Sequence, residues 1–195
     1  MRKKNDHKKN RILDATVRLM ADKGINGASM SMIAKASGIP QATIYVYFHS
    51  KEELLKDLYR YVIKKNCEFL MKDFDINATV QECFKKFFWR MVEYYRLYPA
   101  EFQVYEQFMS SMISRDVGVE NVTELFEPLY AFVIRGQREG LIKKELHPIV
   151  VLSYFSLLAA NIEKGKLFWG NSADDLTYQI IFDASWDAVI VHDQK

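Results

Sequence analysis

The sequence predicts an all-α protein of about nine helices: an N-terminal three-helix, helix-turn-helix unit over residues 1–50, a connecting helix over 51–72, and a larger helical part over 73–195. Three observations carry this expectation. Only eight Gly and four Pro interrupt 195 residues, and apolar positions recur at three- and four-residue spacing while extended alternation is scarce. The composition, 49% hydrophobic and 14% aromatic, supplies a real core and excludes the disordered class. Charge is also split along the chain: residues 1–66 hold 14 Lys and Arg against 6 Asp and Glu, and residues 67–195 hold 13 against 19. Clustered positive charge is the footprint of a polyanion partner, nucleic acid or anionic membrane.

Taken in order, Ile12, Ala15, Val17, Leu19 and Met20 give the first helix an apolar stripe, and Gly24 supplies its stop. Ser29 and Ser31 are N-cap candidates for a short second helix, "MSMIAKAS", ended by Gly38. Pro40 opens the third, since its missing N–H costs nothing in a first turn. Ser50 with Glu53 makes a capping box that starts a long fourth helix to about Lys72. The fifth, from Val80 to Tyr98, is apolar nearly all round and should be central. Pro99 breaks it, and a sixth helix carries Phe102, Tyr105, Phe108, Met109, Met112 and Ile113. A loop over 115–121 precedes a seventh helix to Glu139, in which Pro128 should impose a kink or a late start. Pro148 starts an eighth helix to about Lys164, and Ser172 with Asp175 caps a ninth reaching about Val191.

Cys67 and Cys83 form no C-x-x-C or Cys/His cluster, so they read as buried thiols in a reducing compartment, with a disulfide or redox switch as the alternative. No apolar stretch follows the basic "MRKKNDHKKNR" as a leader would require. The most apolar run, 149–160, contains Ser153 and Ser156 and is too short to span a bilayer. The basic first third lacks the large exposed apolar face of a membrane-surface helix. The expectation is a cytoplasmic protein working at the nucleoid. His7, His49, His147 and His192 are scattered, and G-x-S-x-G, a phosphate loop and H-E-x-x-H are absent. No catalytic residue, metal ligand or cofactor is expected, and the protein is not expected to be an enzyme.

The stretch "ATIYVYFHSKEEL", 42–54, is rich in β-branched and aromatic residues and reads locally as a strand. A lone short strand has no partner, so it is better taken as a helix. Small Ala34, Gly38 in the turn and Ile44 six residues on fit a helix-turn-helix. Ile44 and Phe48 should then face inward against Ile33, with Thr43 and Tyr47 outward and Gln41 and Ala42 at the N-terminal tip. A recognition helix presents such residues to the major groove: Gln41 to adenine, Ala42 or Thr43 to a thymine methyl, a tyrosine hydroxyl to phosphate. Lys51 at the start of the fourth helix suits a phosphate. Tyr45 is open between DNA contact and packing, and the Lys/Arg run before residue 12 between a solvated tail and a contact to the DNA backbone.

The segment "ILDATVRLMADKGINGASMSMIAKASGIPQATIYVYFHSKEELL", 12–55, resembles the DNA-binding domain of the tetracycline-repressor (TetR/AcrR) family of bacterial transcription regulators. Its T-[IL]-Y-x-[YH]-F-x-[SN]-K-E-x-L core carries the likeness. The resemblance implies an all-α homodimer whose first three helices bind palindromic double-stranded operator DNA and whose later helices bind an inducer and dimerise through the eighth and ninth. By position it implies DNA contacts at Ser29, Ser31, Gln41, Ala42, Thr43, Tyr45, Tyr47 and Lys51. Met30, Ser31 and Met32 stand where family members often carry Arg, Asp or Glu, which argues against a guanine contact from the second helix.

For the rest of the chain the likeness is one of layout. Leu152, Phe155 and Ala159 on the eighth helix, with Tyr178, Phe182 and Trp186 on the ninth, form apolar stripes suited to a four-helix dimer interface. Phe88, Met91, Tyr105, Phe108, Met109, Tyr130 and Tyr154 are the aromatic and thioether side chains that line pockets, and equally those of ordinary core. Glu101, Glu106 and Glu163 could neutralise a cationic ligand or stand as solvated carboxylates. The expected partners are operator DNA, a second copy of the chain and a small lipophilic effector, with no membrane. The function expected is a ligand-released repressor; an activator, or a regulator without an inducer, is the alternative.

Overall fold

The computed structural model describes residues 2–111, 120–169 and 174–192. Among them run α1 (Arg2–Gly27), α2 (Met30–Ser37), α3 (Gln41–Tyr47), α4 (Lys51–Met71), α5 (Val80–Leu97), α6 (Pro99–Met109), α7 (Glu120–Arg138), α8 (Pro148–Trp169) and α9 (Asp175–Val189). No strand occurs among these residues beyond an isolated bridge, Ile142 to Ile190. No helix among them is long and apolar enough to cross a membrane. The expected Met112 and Ile113 of the sixth helix, most of the 115–121 loop and the Ser172 cap lie outside the described residues.

Packing divides the chain at places other than 50 and 72. One compact unit comprises residues 1–66 and 98–124, the other 67–97 and 125–195. The sixth helix is the reason: α6 packs on α1, as α2 does, so it joins the first unit although it follows α5 in sequence. The first unit closes over Ile12, Ala15, Met20, Ile33, Ile44, Phe48, Leu54 and Leu58, all fully or nearly fully buried. Thr16, buried among them, satisfies its hydroxyl by donating to the Ile12 carbonyl at 2.7 Å.

Local chemistry explains most boundaries. Gly24, at φ 73, breaks α1 into a long helix and a short continuation to Gly27. Ser29 caps α2 by accepting from the Met32 N–H, and Gly38 ends it in the left-handed region at φ 65. α3 stops at Tyr47, with Phe48 already extended yet fully buried, so the expected 41–48 helix is one residue shorter. At α4 the Glu53 N–H donates to Ser50 Oγ (3.1 Å), while Glu53 Oε2 accepts from the His49 N–H (2.7 Å) rather than from that of Ser50.

In the second unit α5 is central as expected, burying Val80, Cys83, Phe84, Phe87, Phe88, Met91, Val92, Tyr94 and Tyr95. It packs on α8, and α8 on α9. Phe84 is the hub, meeting Phe132 edge-on at 4.9 Å, Phe155 at 4.8 Å and Trp186 at 5.4 Å. α7 runs through Pro128 instead of starting there. The cap of α9 is Asp174, whose carboxylate accepts from the Thr177 N–H at 2.9 Å, and α9 ends at Val189 so that Val191 can donate to the Leu141 carbonyl.

Candidate nucleic-acid interface

Ile44 orients α3. Its side chain is fully buried, and at 3.6 residues per turn Ala42 and Val46 then each lie about 160° from it, the most outward positions available. Gln41, Ala42, Tyr45 and Val46 are exposed, with Tyr45 at 43% and Val46 at 76%, while Thr43 and Tyr47 are half-buried at the flanks. The outward face is therefore centred on Ala42 and Val46, not on Thr43 and Tyr47 as expected. Tyr45 resolves toward solvent; Tyr47 lies beside Phe48, ring centroids 6.5 Å apart. Val46 was missed by the sequence reading, though the angle from Ile44 would have found it. An exposed apolar face of this kind on a short helix can meet thymine methyls while Gln41 offers a paired donor and acceptor.

Around α3, Ser29 and Ser31 are exposed at the start of α2, their hydroxyl oxygens 3.0 Å apart. Arg11 donates to the Ser37 carbonyl at 3.1 Å, which ties α1 to the turn. Lys9 pairs with Asp57 at 2.6 Å and lies 5.4 Å from the Phe48 ring centroid. Lys51, expected on a phosphate, donates from Nζ to the Ile25 carbonyl at 2.9 Å. Glu52 and Glu53 fill the first turn of α4, where they complement the helix dipole and oppose an anion. Lys56, paired with Glu52 at 2.6 Å, holds that carboxyl below the usual range.

Residues 12–58 match the model of the family described as bacterial regulatory proteins, tetR family. A helix-turn-helix transcriptional regulator of Haemophilus influenzae is 27% identical over 179 residues, 91% of this chain and 93% of that one. Residues 12–58 thus carry the DNA-binding domain of the tetR family. A TetR-family transcription regulator from Marinobacter aquaeolei has the same fold, with a TM-score of 0.85 at 26% identity over 98% of this chain and 100% of that chain. FadR of Bacillus subtilis, solved in complex with stearoyl-CoA, shares the fold at a TM-score of 0.73 and 19% identity, over 93% and 98% of the two chains. With that domain and a relative of this kind over nine-tenths of its length, the protein is a DNA-binding transcriptional regulator.

The other expected sites fare differently. Leu152, Phe155, Ala159, Tyr178 and Phe182 are buried within the single chain, and Trp186 stacks on Phe182 at 6.4 Å. The sequence placed all six at a dimer interface; five of them lie in the chain's own core, and Trp186 is half-buried at its edge. α8 and α9 are apolar on two faces, and the aromatic-rich face goes to the chain's own interior. The opposite faces carry Tyr154, Leu157 and Leu158 on α8 and Leu176 and Ile180 on α9, with Leu157 at 61% and Ile180 at 58% exposed.

The pocket candidates scatter in their roles. Phe88 is buried against Phe182 and Tyr178, Met91 is buried, and Tyr130 stacks on Phe126 at 6.2 Å. Phe108 is buried edge-on to Tyr59 at 5.3 Å, Met109 is exposed with its sulfur 3.9 Å from the Tyr59 hydroxyl, Tyr105 is half-buried and Tyr154 stands on the exposed face of α8. Two candidate counter-charges are already neutralised: Glu101 accepts from Lys65 at 2.7 Å, and Glu163 from Arg96 at 2.9 Å and from the Tyr178 hydroxyl.

Proposed function

We propose that this TetR-family regulator binds a palindromic operator as a homodimer, represses the adjoining gene, and is released by a small lipophilic effector in the cytoplasm. The observation that carries the reading is the outward face of α3, where Gln41, Ala42, Tyr45 and Val46 stand clear while Ile44 anchors the helix in the core. Thr43 and Tyr47 flank that face, and Ser29 and Ser31 begin the helix beside it. Base edges fall to the N-terminal half of α3 and phosphates to hydroxyls and amides around it.

Dimerisation is supported by the apolar stripes that α8 and α9 leave uncovered, since contiguous exposed apolar surface of this kind marks a protein interface. The effector's character is supported by charge. With Glu101 and Glu163 paired inside the chain, a cationic ligand finds fewer counter-charges, so a neutral or anionic lipophile fits better; the same fold accommodates stearoyl-CoA in FadR of Bacillus subtilis. The test is selection of bound duplexes from a random-sequence library by the purified chain, followed by titration with long-chain acyl-CoA. Enrichment of a two-fold symmetric sequence, released by acyl-CoA, is expected. No enrichment would sink the operator reading, and enrichment with no release by this or other lipophiles would sink the effector.

A further inference from the structure

The peptide of Ile25 is held from both sides. Its N–H donates to Gln107 Oε1 at 2.9 Å, and its carbonyl accepts from Lys51 Nζ at 2.9 Å. The same Gln107 amide donates from Nε2 to the Met20 carbonyl at 3.1 Å. Gln107 belongs to α6, Lys51 opens α4, and Met20 and Ile25 bracket the break of α1 at Gly24. Positive-φ backbone at Gly24 takes the Ile25 N–H away from its regular helical partner, the Ala21 carbonyl, and an unpaired backbone group under partial burial is costly. Gln107 satisfies that N–H with its amide oxygen, while its amide nitrogen grips the Met20 carbonyl on the other side of the break. Four residues after Ile25 stands Ser29, the cap of α2 and the start of the segment that presents Ser31 and α3.

The geometry points to Gln107 and Lys51 as positioning residues for DNA binding: they clamp the elbow after Gly24 and so fix where α2 and α3 lie on α1. This rests on the DNA-facing role of α3 argued above. It gives Lys51 a different task from the phosphate contact that its place at the start of α4 suggests. It also gives α6 a polar hold on the DNA-binding helices, through one side chain. Base contacts need register, whereas phosphate attraction tolerates small displacements, so a loosened elbow should cost specific binding far more than general binding.

The test compares Gln107→Met, Gln107→Glu, Lys51→Met and the Gln107→Met/Lys51→Met double variant. Each is titrated with the duplex that the wild-type chain selects and with a random-sequence duplex, at two salt concentrations. Gln107→Met, which keeps the length and loses both bonds, should bind the selected duplex about tenfold more weakly and the random duplex unchanged. Gln107→Glu keeps the acceptor for the Ile25 N–H and loses the donor to Met20, so it should fall between; it decides the matter if the Met variant does not fold. Lys51→Met should lose specificity with the wild-type salt slope, and the double variant should be no weaker than the worse single, because both act on one peptide. Unchanged affinity of the Gln107 variants for the selected duplex would overturn the clamp. So would a Lys51→Met protein that weakens on both duplexes alike with its salt slope reduced by about one, which is the mark of a lost phosphate contact. If the wild-type chain selects no sequence, the operator reading fails and takes this inference with it; a selected palindrome bound normally by the variants fails the clamp alone.

Discussion

Cys67 shows how burial sets the chemistry of a side chain. It is 6% exposed on α4, and burial, helped by the neighbouring Glu68 carboxylate, pushes its thiol up from 9.0 to about 12. A thiol so placed is not a reactive nucleophile, in keeping with its expected role as a core residue. The stability consequence has a definite sign. Between pH 9 and 12 the folded chain keeps a proton that the unfolded chain loses, so this contribution is whole below about pH 9 and declines as pH rises through that window. Tyr59 and Tyr130, whose phenols burial also raises, act in the same direction. Urea midpoints at pH 8 and pH 10.5 should therefore fall in the wild type and fall less in Cys67→Ala; equal falls would assign the effect wholly to the tyrosines. On α3 the residue scale was partly legible: Ile44 inward and Gln41 and Ala42 outward follow from spacing, but Val46 was passed over because an apolar side chain is assumed to be inside.

At the scale of single elements, Gly136 carries a constraint that no sequence pattern announces. It lies within α7, where glycine is unfavourable by about 1 kcal/mol relative to alanine. A Cβ there would sit 2.7 Å from Ile142 Cγ1 and 2.8 Å from Val80 Cγ1. Overpacking of that kind costs about 1–3 kcal/mol, enough to exceed the propensity gain. Gly136→Ala should lower Tm by several degrees, and a raised Tm would show that the neighbours yield. Helix existence was well legible here because caps and breakers are local: Gly38, Pro40, Ser50 and Pro99 act where they stand. α3 itself, strand-like by propensity, is helical because Ile44 and Phe48 have a core to fill. Where reading stopped short, the competing signals were also local. Thr79 and Glu82 form a reciprocal capping box at α5, with the Thr79 N–H on Glu82 Oε2 at 2.9 Å, and it went unread among the loop residues. Asp174, two residues beyond the expected Ser172, makes the α9 cap.

Over the whole molecule, the sequence carried the all-α class and the basic DNA-binding front, and it failed on long-range partnership. Nothing local tells α6 to join α1, or tells α8 which of its two apolar faces is the inner one. The exposed stripes supply the prediction at this scale. Ile180→Asp or Leu157→Asp should convert the protein to a monomer of 22.9 kDa in sedimentation while retaining its helical spectrum. Phe155→Asp, placed in the core, should unfold the chain instead. A wild type that already sediments as a monomer would contradict the proposed homodimer, and aspartate variants that stay dimeric would move the interface elsewhere.

The central claim is that the outward face of α3 reads DNA, and Val46→Asp addresses it most directly. That side chain is 76% exposed, so folding buries little of it, and the substitution sets a carboxylate against the phosphate-lined groove. Fluorescence anisotropy with the selected duplex should show about a hundredfold loss of affinity with unchanged circular dichroism and Tm, on the scale of one or two lost base contacts. Wild-type affinity in the Val46→Asp protein would contradict the account.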